Sequence, residues 1–189
     1  MSRKNPNRRA ALLDAAIEVL AREGSRGLTF RAVDLEAAVP PGTASNYFAS
    51  RDALIDQTGG RVYERLRLSS LGATPGATLK QLMHELVARL SGFPSGYLAL
   101  LELRLEAIRR PALRAVLTEM VGTDLAANVA LHRESGQPGD ETAVRLLYLA
   151  LNWLILDRLT LPGVFTDAEA GALVDAAVDR LTATGATGG

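Results

Sequence analysis

Apolar residues recur along this chain at intervals of three and four, the spacing of amphipathic helices, and no segment alternates as a strand would. Leu13, Ala16, Ile17 and Leu20 set the stripe of a first helix, expected from Pro6, with Asn5 as cap, to Glu23. Gly24 and Gly27 end it. Thr29 is a good N-cap for a second helix, with Leu28 before it as a staple residue. Ala32, Val33 and Leu35 supply its apolar contacts, and it ends near Ala38. Val39-Pro40-Pro41-Gly42 cannot continue a helix, because the prolines lack N–H donors and restrict the residues before them. Pro41 is nevertheless suited to open the next helix, Pro41 to Phe48, whose polar face carries Thr43, Ser45 and Asn46. Ser50 caps a fourth helix from Arg51 to Leu71. Its Gly59-Gly60 pair is either a hinge or, more commonly, a permit for close packing.

Gly72 to Gly76 breaks the pattern and marks a boundary. A fifth helix spans Thr78 to Ser91, with Leu79, Leu82, Met83, Leu86 and Leu90 facing inwards, and a sixth spans Ser95 to Arg109. Pro111 opens a seventh that reaches Arg133, ahead of a loop over residues 135–139. The eighth, Asp140 to Leu161, is apolar over most of its circumference between Leu146 and Leu156. The ninth starts at the cap Thr166, has Asp167 and Glu169 in its first turn, where they favour the helix dipole, and reaches Leu181. The fold class is all-α. A three-helix helix-turn-helix unit over 1–52 precedes a helical bundle over 53–184 and a disordered tail, 185–189.

Composition narrows the possibilities. With 189 residues, 48% hydrophobic and 5% aromatic, the chain can bury a good core and favours helix over sheet. The absence of cysteine excludes disulfides and thiolate metal sites. No apolar run is long enough to span a bilayer and no signal peptide is expected, so the reading is cytoplasmic with no membrane partner. Net charge is zero, and residues 1–60 hold eight Lys/Arg against seven Asp/Glu. Affinity for nucleic acid must therefore come from placement of charge, and the arm Arg3, Lys4, Arg8 and Arg9, free of acids, is placed for phosphate contact.

A short helix crossing another and presenting small hydrogen-bonding side chains is the arrangement that reads the major groove. Thr43, Ser45 and Asn46 then lie near base edges, where Asn can bridge adenine N6 and N7. Tyr47, Thr29 and Arg51, with Thr43, are the candidate phosphate contacts. Phe48 is expected in the core, under the turn. The segment VDLEAAVPPGTASNYFASRDAL resembles the DNA-binding segment of the tetracycline-repressor family of transcriptional regulators, in Gly42-Thr43, Tyr47-Phe48 and Ser50-Arg51-Asp52. It departs from the family at Ala38, where a turn glycine is usual, at Pro40, where Ser is usual, and at Ala44-Ser45, which replace a Leu-Tyr pair. The resemblance implies a DNA role for Arg31, whose other reading is a surface salt bridge with Asp34 or Glu36.

One short helix reads few base pairs, so specificity requires a homodimer on two half-sites of a double-stranded operator. The eighth and ninth helices carry enough apolar surface to pair with their copies through Leu147, Leu151, Leu154, Leu173, Val174, Ala177 and Leu181, the other reading being a larger intramolecular core. Polar residues among the apolar ones of the middle helices point to a site for an unknown small-molecule effector. Its polar groups are Arg104, Asp124, Asn128, Tyr148 and Asn152, and its walls Met83, Tyr97, Leu101, Met120 and Trp153. The expected function is a repressor released from its operator by that ligand, which shifts the middle helices and, through the fourth, the reading heads. A DNA-binding dimer without a ligand and a helical protein-interaction module are the alternatives. No catalytic constellation, metal set or cofactor motif is found: His84 has no second histidine at zinc spacing, and the glycine clusters follow no strand.

Overall fold

The computed structural model describes residues 5–70 and 76–183, in which nine α-helices and no strand are found. They are α1 (Pro6–Gly27), α2 (Phe30–Glu36), α3 (Thr43–Tyr47), α4 (Arg51–Ser70), α5 (Leu79–Ser91), α6 (Pro94–Ala107), α7 (Pro111–Ser135), α8 (Glu141–Thr160) and α9 (Asp167–Ala183). Arg3 and Lys4 of the basic arm, Leu71, residues 72–75 of the expected break and the tail 185–189 lie outside the described residues. No described helix is long and apolar enough to cross a membrane.

Local chemistry accounts for most helix starts. Asn5 accepts from the N–H of Asn7 at 3.0 Å, and Thr29 from that of Ala32 at 3.1 Å. Ser50 accepts from the Ala53 N–H at 3.1 Å and Asp140 from the Ala143 N–H at 2.8 Å. Thr78 with Gln81 and Thr166 with Glu169 form reciprocal caps. Such caps are worth about 1 kcal/mol each. Gly24, at φ 69, breaks the helical path of α1 directly after Glu23, as its sequence implies.

The chain forms two compact units, residues 1–68 with 93–120 and residues 69–92 with 121–189. In the first, α1 packs on α2 and along α6. Both α1 and α6 bury small residues, Ala15 and Ala16 on one and Gly96, Ala99 and Ala107 on the other, which is the condition for close approach. Polar bonds fix this packing: Arg61 of α4 grips Asp14 of α1 through Nε at 2.8 Å and Nη2 at 2.9 Å, and Ser95 Oγ donates to Glu18 at 2.8 Å. Gly59 faces Leu113 and Leu117, where an added Cβ would stand at 3.5 and 3.7 Å, so close packing describes this glycine and α4 runs through it unbroken. One expectation is corrected here. Leu35 is 81% exposed, while α2 buries Val33 and Asp34.

In the second unit α5, α8 and α9 pack on one another. Leu79, Leu147 and Val178 form the interior cluster, with Met83, Ala177 and Leu181 against it.

Candidate nucleic-acid interface

The α2–turn–α3 unit is held by its backbone and one carboxylate. Ala38 takes φ 50, a left-handed conformation unfavourable for a residue with a Cβ, at the position where the resemblance expects glycine. The turn is closed by the Val39 N–H donating to the Asp34 carbonyl at 3.0 Å. Gly42 is left-handed at φ 88, so α3 begins only at Thr43, and Phe48 is extended, so it ends at Tyr47. It is thus shorter than the Pro41–Phe48 helix expected. Asp34 is buried and reaches across the turn: its Oδ2 accepts from the Gly42 N–H and its Oδ1 from the Ala44 N–H, each at 2.7 Å. From sequence alone, Asp34 stands only as a salt-bridge partner for Arg31. An acid between Val33 and Leu35, nine residues before a helix with no capping side chain at its start, is the available signal.

Beneath α3, Phe48 is 1% exposed, in the core as expected, and the Arg9 guanidinium lies 5.3 Å from its ring centroid. Arg9 also bonds the Tyr47 carbonyl at 3.5 Å and the Gln57 side chain, which turns it into the head and away from the solvated arm. Arg51 is likewise engaged within the protein: Nε donates to the Leu28 carbonyl at 2.8 Å and Nη2 to that of Ser25. It caps the end of α1, so in the free protein it serves the scaffold.

Several polar side chains around the turn face solvent. Ser45 and Asn46 are exposed on α3, and Arg31 on α2 makes no ion pair among the described residues. Its candidate acids are committed elsewhere, Asp34 to the α3 amides and Glu36 to Arg22 at 2.9 Å. Ser45 Oγ donates to the Gly42 carbonyl at 2.8 Å and Thr43 Oγ1 to that of Pro40 at 2.6 Å, which orients both hydroxyls while leaving them able to accept. Thr29 is exposed, and with its oxygen accepting from the Ala32 N–H its own hydrogen is left to donate. Tyr47 is half-buried at the end of α3.

Comparison with known proteins agrees with this geometry. A family model described as bacterial regulatory proteins of the tetR family matches residues 12–58. Another, the tetracyclin repressor-like C-terminal domain, matches residues 74–184, more than half the chain. The chain belongs to the TetR family of transcriptional regulators. The HTH-type transcriptional regulator BetI of Brucella canis is 37% identical over 87 residues, which is 45% of this chain and 41% of that protein. The match thus spans well under half of that relative's length. A transcriptional regulator from Rhodococcus sp. Rha1 shares the fold with a TM-score of 0.78 at 17% identity, covering 95% of this chain and 98% of that one. Salmonella enterica GusR does so with a TM-score of 0.73 at 21% identity, covering 95% and 98%. A TetR-family member from Streptomyces coelicolor A3 gives 0.67 at 29% identity over 91% and 98%.

The family is one of transcriptional regulators, and its N-terminal match over residues 12–58 covers the α2–turn–α3 unit. The histidines of this chain have structural partners: His84 Nε2 lies 2.9 Å from Asp175 and His132 Nε2 lies 3.1 Å from the Gly139 carbonyl. The residues expected at the effector site divide between the units. Tyr97, Leu101, Arg104 and Met120 belong to the first, and Met83, Asp124, Asn128, Tyr148, Asn152 and Trp153 to the second. Arg104, Asn128 and Trp153 are exposed, Tyr97 is buried, and Asn152 donates to the Tyr148 carbonyl at 2.7 Å within α8. None of the ten lines the two open depressions of the second unit, each about 270 Å³, one beside Phe165 and the other between α5, α8 and α9.

The expected pairing residues need correction as well. Leu147, Leu151, Leu154 and Val174 are buried inside the second unit, and Ala177 and Leu181 pack on its interior cluster. Of the seven, Leu173 alone is exposed. The apolar face that α8 turns to solvent is instead Leu146, Leu149 and Trp153, at i, i+3 and i+7. The segment from Leu146 to Leu156 is apolar over most of its circumference, so its periodicity does not define which face is inward.

Proposed function

We propose that this TetR-family regulator is a homodimeric repressor that reads a palindromic operator with α3 and is released from it by a small molecule. The observation that carries the DNA half is the exposed set Ser45, Asn46 and Arg31 around the turn, on a head whose Arg9, Arg51 and Asp34 are bound internally. Asn suits adenine, Arg suits guanine O6 and N7, and Ser accepts from or donates to several bases. Leu146, Leu149 and Trp153 on α8 and Leu173 on α9 form exposed apolar surface of the kind that marks a protein interface, which supports pairing of two chains. A two-fold dimer meets two inverted half-sites, hence a palindrome. Release by a ligand requires that it bind the DNA-free state more tightly than the DNA-bound one.

Selection of genomic fragments by the full-length protein gives the operator, and replacing Asn46 with Ala should then weaken it by about 1–3 kcal/mol. Unchanged affinity in a folded Asn46→Ala protein would sink α3 as the reader. The sensor half is tested separately, by thermal shift against a panel of small molecules; a compound that stabilises the protein should also lower operator affinity. A panel that does neither favours a regulator without an effector.

A further inference from the structure

The reading helix starts without a cap of its own. The residue flanking its first turn is Gly42, which has no side chain, and Pro40, where the resemblance expects serine, has no hydroxyl. Five residues cannot hold a helix by internal bonds, since nucleation is costly and the first amides have no partners within it. We propose that Asp34 is the positioning residue of the reading helix: from α2 it supplies the cap that α3 lacks and so fixes where Ser45 and Asn46 face.

Its two carboxylate oxygens accept from Gly42 and Ala44 at 2.7 Å each, and the side chain is only 3% exposed. No described cation pairs with it, so the bonds that balance its burial are those to the start of α3 and its dipole. The geometry has a second consequence. The Gly42 and Ala44 amides, which an anion could take at a helix start, are already occupied, which favours contact with DNA through the side chains of α3. Asp34 thereby sets operator specificity while touching no DNA. This inference rests on α3 being the reader.

The test compares the full-length protein on the selected operator and on a scrambled duplex of equal length. Asp34→Asn, Asp34→Ala and the double variant Asp34→Ala with Pro40→Ser are measured alongside the parent. Serine at 40 would stand two and three residues before the Gly42 and Thr43 amides, the reach of a capping hydroxyl. The single variants should retain helical circular dichroism and lose about tenfold or more in operator affinity, with the scrambled duplex changed less than twofold. Amide exchange at Gly42 and Ala44 should quicken, and Pro40→Ser should restore a large part of the operator affinity. Parental operator affinity in Asp34→Asn overturns the inference. So does an equal loss on both duplexes, or a failure of Pro40→Ser to restore any binding. Should Asp34→Ala fail to fold, Asp34→Asn, which keeps the shape, carries the measurement. A parent protein that does not distinguish the two duplexes is a different result: it removes α3 as the reader, and this inference with it.

Discussion

At the scale of single residues, the head shows how few side chains remain for DNA once the scaffold has taken its own. Arg9, Arg51 and Asp34 are bound within the protein, while Arg31 and Asn46 face solvent and the hydroxyls of Thr29, Thr43 and Ser45 keep capacity for a further bond. Arg31→Ala should reduce operator affinity by about 1–3 kcal/mol if it reads guanine, and should relax preference at one base position, as a set of single-base operator variants would show. Thr29→Ala, by contrast, should weaken all duplexes alike. Arg31, on α2, was implied only by the family resemblance, while Asn46 was legible in the sequence because the polar residues of α3 follow from local pattern. Asp34 was not, because its partners are backbone amides eight and ten residues on, brought to it only by the turn.

A second residue ties the head to α6. Glu106 is buried, accepts from Ser25 Oγ at 2.7 Å, and bonds Arg109 at 2.6 Å and Arg110 at 3.0 Å. These bonds, the serine's first, hold its carboxyl down at about 2, well below the usual carboxylate range. A depressed carboxylate stabilises the fold above its ordinary range and ceases to as pH falls. The contribution, on the order of 3 kcal/mol at most, should be lost between roughly pH 4.5 and 2, and acid unfolding of Glu106→Gln should lack that component.

At the scale of elements, helix existence and order follow from periodicity and caps, while helix phase does not. The Gly24 break, the Thr29, Ser50 and Thr166 caps and the stripe of α1 all stand where local rules put them. α2 is the counterexample: its apolar Leu35 faces solvent and its acid is buried. Seven residues carry too little pattern to fix a face, and the buried side of α2 is the one from which Asp34 reaches the Gly42 and Ala44 amides. The α3–α4 corner depends on Phe48 in the same way. Phe48→Ala removes a fully buried ring and the seat of Arg9, and should lower unfolding stability by about 3–5 kcal/mol in denaturant titration.

At the scale of the molecule, the proposed pairing assigns stability to one face of α8 and assembly to the other. Leu151→Ala, in the interior, should cost about 2–5 kcal/mol and leave pairing intact. Leu149→Glu with Trp153→Glu, on the exposed face, should leave the melting of the isolated chain nearly unchanged, give a monomer in sedimentation and abolish tight operator binding. A dimer that survives that double change would refute pairing through this face. The sequence by itself determined the class, the number and order of helices and the reading motif, because each depends on neighbours within about one turn. Only the tertiary structure decided which face of α2 and of α8 is inward, that α6 packs with the head, and that Arg9 and Arg51 serve the scaffold. Those outcomes turn on partners far along the chain, and a helix that is apolar over most of its circumference, or too short to carry a period, has no local record of them.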